Sequence, residues 1–140
     1  MARHDMNPRT PGADLVGYLT RYPKELTFGD DDPVALMDRY HTPEFDMIND
    51  GIRLDRDRLL AHVRAGRKNA LDIKVVVHDA VIEGDHVAAR YTLTAMMRKR
   101  GVVATDVFMF GRLARDGRLR HIEQLTRTAP AVPAEPPQPG

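Results

Sequence analysis

The sequence contains no cysteine at all. That absence excludes disulfides and thiolate metal sites, and it suits a reducing cytoplasm. No apolar run is long enough to span a bilayer as a helix. The opening residues, MARHDMNPRTPG, carry no apolar stretch, so no secretory signal is read there. Lysine is scarce, at four of the 21 basic side chains. Heavy use of arginine, alanine and proline points to a GC-rich bacterial genome. Charge of one sign is also lacking, since the formal net charge is +1. It is unevenly spread, however. Residues 14–57 hold eleven acids against five bases, and residues 98–127 hold eight bases against three acids. A basic hairpin could bind nucleic acid, but no aromatic interleaving or recognition motif accompanies it. Acidic helices beside a basic, charged sheet explain the same pattern.

A chain of 140 residues favours one domain. Hydrophobic residues at 42% supply a core, and charged residues at 29% supply a soluble surface. Residues 1–12 are polar and carry two prolines, and read as a disordered arm. Residues 129–140, APAVPAEPPQPG, read as a disordered proline-rich tail. The folded unit is then 13–128. No internal repeat is evident.

The first half reads as helices. Leu15, Val16, Leu19 and Tyr22 share a helical face from Asp14 onward, and Pro23 is expected to stop that helix. Asp32 suits an N-cap and Pro33 the first turn of a second helix, which carries Val34, Leu36, Met37 and Tyr40. Phe45–Ile48 reads as a short strand closed by the turn Asn49-Asp50-Gly51. Asp55 caps a third helix with Leu59, Leu60 and Val63 as its apolar stripe, and Gly66 as its expected stop. The second half then changes to a period of two. Four strands over Asp72–Arg127 are joined at Glu83-Gly84-Asp85, Arg98–Gly101 and Asp116-Gly117. Their length requires a bent sheet, with a bulge expected near Gly111. The alternation aims Val87, Ala89, Tyr91, Leu93, Ala95, Val107, Met109, Ile122, Gln124 and Thr126 inward. It aims Arg90, Thr92, Asp106, Phe108, Phe110, His121 and Glu123 outward. The fold class is α+β: a curved, mixed and mainly antiparallel sheet wrapped around three N-terminal helices, forming a cone with a pocket.

This unit resembles the SnoaL-like branch of the nuclear transport factor 2-like superfamily. The resemblance rests on DPVALMDRYHTPEF, on NDG before LDRDRLLAHV, on VIEGDHVAARYTL, and on FMFGRLARDGRLRHIEQLTR. It implies a cone with a deep apolar pocket and a dimer through the convex sheet face. The family spans polyketide cyclases, ketosteroid isomerases, epoxide hydrolases, dehydratases and non-catalytic binders, so fold alone does not settle function. Epoxide-hydrolase-like members use an Arg-x-Asp pair and a second Asp. The matching positions here are Tyr91, Leu93 and Gln124, so that triad is absent. Ketosteroid-isomerase-like members use a carboxylate base and a Tyr with a protonated Asp. The base position falls near Asn49 or Asp50 and the acid position at Met109, so that pair is not reproduced either.

The remaining polar candidates are scattered. His41 beside Asp46 could move a proton near neutral pH, with Tyr91 and Asn49 completing a catalytic set. Tyr40, Met47, His62, Leu93, Met109, Ile122 and Gln124 are the candidate substrate-binding residues. Each has a plainer reading. His41 is an exposed helix-end residue, Asp46 faces solvent, His62 completes a helix surface, and Tyr91 is a core aromatic. His121-x-Glu123 supplies only two ligands, too few for a metal. Met37, Met47, Met96, Met97 and Met109 fill the core or adapt to a flat apolar ligand. The leading expectation is a cofactor-free, metal-free cyclase, isomerase or dehydratase acting on an apolar carbonyl compound. Its partners are that small molecule and a second copy bound through Phe108 and Phe110, without nucleic acid or membrane. The rival is a non-catalytic binding or assembly module of the same fold.

Overall fold

A computed structural model describes residues 8–129 of the chain. Helix α1 spans Leu15–Phe28, and the Asp14 carboxylate caps it by accepting the Gly17 N–H at 2.9 Å. Leu15, Tyr18 and Leu19 turn into the core, whereas Val16 is 49% exposed, against its expected place on the apolar face. The helix also runs through Pro23 instead of stopping at Tyr22. Proline removes one helical hydrogen bond. Tyr22 and Leu26, on either side of it, pack against the core cluster and hold the last turns in place. Helix α2 spans Pro33–Tyr40 with Asp32 as N-cap, as the sequence predicts. Helix α3 spans Arg56–Asn69, and Asp55 caps it by accepting the Arg58 N–H at 3.0 Å. It passes the expected stop at Gly66, whose carbonyl accepts the N–H of Ala70.

Six strands form one sheet: β1 (His41–Asn49), β2 (Ile52–Leu54), β3 (Ala70–Glu83), β4 (His86–Met97), β5 (Gly101–Leu113) and β6 (Leu119–Thr128). Their order is β2-β1-β6-β5-β4-β3. Only β1 and β6 run parallel; every other pair is antiparallel. The sheet is therefore mixed and open, with the helices on its concave side. Strand β1 starts at His41, four residues before the expected Phe45, because the chain leaves α2 directly in extended conformation. Asp50 and Gly51 both adopt positive φ, 51° and 83°, the pair a tight hairpin turn requires, and β2 returns along β1. The sequence reading missed β2.

Extra residues interrupt the antiparallel pairing at three places, the first at Leu71 near the start of β3. In β3 the register skips His78 between Val77↔Tyr91 and Asp79↔Arg90. Between β5 and β6 it skips Arg120, since Arg112 pairs with His121 and Leu113 with Leu119. The bulge expected near Gly111 is thus one residue on, with the additional residue carried by β6. At Gly111 an added Cβ would lie 2.9 Å from Val87 Cγ2 and 3.0 Å from Leu119 Cδ2. Only glycine permits that closure of side chains over β5.

The concave row fills the core. Val87, Ala89, Val107, Met109 and Ile122 are buried, and they meet Tyr18, Leu36 and Tyr40 from the helices. The arm expected over 1–12 departs from its reading. Thr10 and Pro11 are buried, and the Gly12 N–H donates to the Gly117 carbonyl at 2.9 Å. Packing therefore begins before residue 13. Residues 1–7 and 130–140 lie outside the described residues, and Ala129 still donates its N–H to Ala104 at 2.9 Å. No helix among the described residues is long and apolar enough to cross a membrane.

Candidate functional site

The helices and the concave sheet face enclose a cavity of about 310 Å³. The period-two pattern of β4, β5 and β6 brings Tyr91, Leu93, Met109, Ile122 and Gln124 to its wall, as expected from sequence. Met47 on β1 and His62 on α3 also line it. His62 is exposed and stands at the mouth, where Pro23, Leu26 and Thr27 of α1 face Val63 and Gly66 of α3.

His41 lines the cavity too, but it is 2% exposed, not an exposed helix-end residue. Its ring lies among Tyr18, Tyr22 and Phe45, with the Phe45 ring centroid 4.3 Å away. Nδ1 stands 3.1 Å from the Met37 carbonyl, which can only accept, so Nδ1 carries the proton. Nε2 is then the acceptor for the Tyr18 hydroxyl at 2.7 Å. Burial pushes the His41 imidazole down to about 3, a shift opposed by the Met37 carbonyl and reinforced by Arg56 and Arg118 nearby. The ring is therefore neutral at physiological pH. Burial likewise raises the Tyr18 phenol well above its ordinary value, with the neighbouring tyrosines adding to the effect. Tyr91 is pushed up to about 12 by burial, and Tyr22 is also raised by burial. All three phenols hold their protons in neutral solution. The result is an aromatic and aliphatic chamber in which His41 and the three tyrosines are uncharged.

Three sequence-predicted residues lie elsewhere. Asp46 does not meet His41. Parallel pairing of β1 with β6 sets it opposite His121 on the outer face, where its carboxylate accepts from His121 Nδ1 at 2.7 Å and Arg53 Nε at 3.0 Å. The hydrogen bond from His121 is the main reason its carboxyl sits below the usual range. Asn49 lies beside the cavity wall, not on it, and its side-chain oxygen accepts from Gln124 Nε2 at 2.9 Å. It thus orients Gln124. Tyr40 is fully buried behind the wall, and its hydroxyl donates to Glu25 at 2.7 Å. Tyr18 and Tyr22 are the site residues that sequence reasoning missed. Their spacing of four on α1 was visible, but it is also the spacing of an ordinary core stripe. Among the described residues, no cluster of three His, Asp or Glu side chains could hold a metal ion.

Comparison with known proteins agrees with this architecture. Residues 19–122 match the family described as SnoaL-like domain. Among solved structures, IdmH of Streptomyces antibioticus, a candidate polyketide cyclase, superposes with a TM-score of 0.63 at 16% identity, over 83% of this chain and 91% of that one. A nuclear transport factor 2-like protein of Exiguobacterium sp. gives 0.60 at 20% identity, over 76% and 95%. A candidate SnoaL-like polyketide cyclase of Jannaschia sp. gives 0.56 at 18% identity, over 76% and 83%. No curated protein matches the sequence significantly. At these identities the solved structures speak for the fold alone, whereas the family match covers most of the folded unit: the chain belongs to the SnoaL-like domain family.

Proposed function

We propose that this protein is a cofactor-free acid–base enzyme of the cyclase or isomerase kind, acting on an apolar carbonyl compound held in the cavity. The observation that carries the reading is the Tyr18–His41 hydrogen bond at the wall of an otherwise apolar chamber. The relatives described as candidate polyketide cyclases support the substrate class. In this reading a ligand O–H, or a C–H beside its carbonyl, gives its proton to the Tyr18 oxygen as the Tyr18 proton passes to His41 Nε2. The products are a ligand oxyanion and an imidazolium. Burial keeps the basicity of His41 low, and an oxyanion forming against Tyr18 is the opposite charge that favours the charged ring. The Tyr22 and Tyr91 hydroxyls, protonated and on the same wall, are donors for that oxyanion.

Two further parts of the reading concern the whole molecule. On the outer sheet face Val81, Ala88 and Phe110 stand in one cross-strand row, and Leu125 pairs with Phe108 next to it. Phe110 is 70% exposed and Leu125 63%. A second copy of the chain covering this face makes the protein a homodimer. The cysteine-free chain works in the cytoplasm.

The test is deuterium uptake by 2-tetralone in D2O, followed by NMR. Wild-type protein should accelerate exchange beside the carbonyl over buffer. Tyr18→Phe and His41→Gln should abolish the acceleration, and Asp46→Asn should keep it. Full activity in Tyr18→Phe would overturn the assignment of the dyad. No acceleration by the wild type, with the ketone bound in the cavity, would instead favour the non-catalytic binding module.

A further inference from the structure

The chamber carries information about its ligand that does not depend on turnover. Among the described residues, its wall includes no Asp, Glu, Lys or Arg. His62, exposed at the mouth, is the lining imidazole besides His41. The nearest arginines to His41 are engaged outside the chamber. Arg56 donates to Asp38 and to the Thr42 carbonyl, and Arg118 donates to Asp116 and to the carbonyls of Asp38 and His41. A ligand carboxylate or phosphate inside would lose its water without gaining a cation, which disfavours its binding.

The hydrogen-bonding polarity at Tyr18 is equally specific, beside the donor hydroxyls of Tyr22 and Tyr91. Tyr18 has one proton, and His41 Nε2 holds it, because Nδ1 is committed to Met37. Toward the chamber Tyr18 offers lone pairs only. Gln124 gives one amide hydrogen to Asn49, which leaves its carbonyl oxygen as an acceptor beside its second amide hydrogen. Around these acceptors the Tyr18 and Tyr22 rings stack at 5.2 Å, and His41 and Phe45 extend the aromatic surface. Such a surface takes a flat ring face-on or edge-on.

We infer that the chamber is built for an uncharged, planar ligand bearing a hydroxyl or enol O–H that donates to the Tyr18 oxygen. The inference rests on the cavity being the ligand site, as proposed above, but not on catalysis there. An enol of a cyclic diketone and a phenolic ring both meet the requirement. A carboxylate does not, and a fully alkylated ether does not.

Three probes of one shape separate the possibilities: 2-naphthol, 2-methoxynaphthalene and 2-naphthoate, each titrated calorimetrically into the full-length protein at pH 7.5. The naphthol should bind about tenfold more tightly than the ether, the increment of one good buried hydrogen bond. The naphthoate should show no measurable binding. Tyr18→Phe should lower naphthol affinity to that of the ether and leave the ether unchanged. Naphthoate binding as tight as naphthol, or a naphthol preference that survives Tyr18→Phe, would overturn the inference. Should Tyr18→Phe fail to fold, the wild-type series still decides, because equal affinity for naphthol and ether refutes the acceptor role. Binding of all three alike would sink this inference and spare the cavity as a site. Binding of none would sink both.

Discussion

Lowering the pH from 7 to 4.5 should destabilise the folded protein through His41 alone among the groups whose shifts are resolved. The unfolded imidazole titrates near 6.5, and the buried one near 3. The sign follows from which state binds the proton. Between these values the unfolded chain is protonated at His41 and the folded chain is not, so acid favours unfolding. One pH unit below 6.5 corresponds to about 1.4 kcal/mol, so the loss reaches about 3 kcal/mol at pH 4.5 and about 4 kcal/mol near pH 3, where the folded ring begins to take up its proton. The depressed aspartates, Asp46, Asp85 and Asp106 among them, act in a lower window. Their stabilisation is present above about 3.8 and is lost only as pH falls through their still lower folded values. Urea unfolding at pH 7 and pH 4.5 isolates the histidine. Wild type should lose about 3 kcal/mol of unfolding free energy at unchanged m-value, a large share of the ~5–15 kcal/mol typical of a domain. His41→Gln, which keeps one donor for Met37 and one acceptor for Tyr18, should lose almost none. An equal loss in both proteins would refute the reasoning, because it would place the acid-sensitive group elsewhere.

Further perturbations address other parts of the account. Gly66→Leu places a side chain at the mouth, where an added Cβ meets nothing within 4 Å. Thermal unfolding should rise slightly, by the ~1 kcal/mol that glycine forfeits inside a helix, while 2-naphthol binding falls at least tenfold by calorimetry. Asp55→Ala removes the cap of α3, a helix with no buried residue. Stability should fall by about 1 kcal/mol in urea unfolding, with faster amide exchange confined to the first turn of α3. Phe110→Asp puts a charge into the exposed apolar row. It should leave a monomer in sedimentation experiments where the wild type sediments as the proposed dimer, without changing 2-naphthol affinity.

Much of this architecture was legible because local signals agreed with tertiary ones. Asp32 and Asp55 each cap a helix with a side-chain acceptor, the positive-φ residues at Gly84, Gly101 and Gly117 mark the hairpin turns, and strict alternation put Tyr91, Met109 and Ile122 on the concave face. The failures have one cause, which is that long-range packing overrides local grammar. Pro23 reads as a stop, yet Tyr22 and Leu26 carry α1 past it by packing on the core. Asp46 reads as a partner for His41 five residues earlier, yet the parallel pairing of β1 with β6 sends it to His121 on the opposite face. Tyr18 and His41 are 23 residues apart, and no spacing rule joins a helix residue to the first residue of a strand. Their contact exists only because α1 packs into the concave face of the sheet.

The central claim is that the working site is the Tyr18–His41 pair inside the chamber, not the Asp46–His121 pair outside it. Long-range 1H–15N correlation of the histidine side chains during a 2-naphthol titration tests this directly. The account predicts that His41 starts as the Nδ1-protonated neutral ring, and that ligand binding shifts its Nε2 resonance while both His121 nitrogens stay in place. A His41 ring that titrates with an ordinary pKa, or a ligand response at His121 with none at His41, would contradict it.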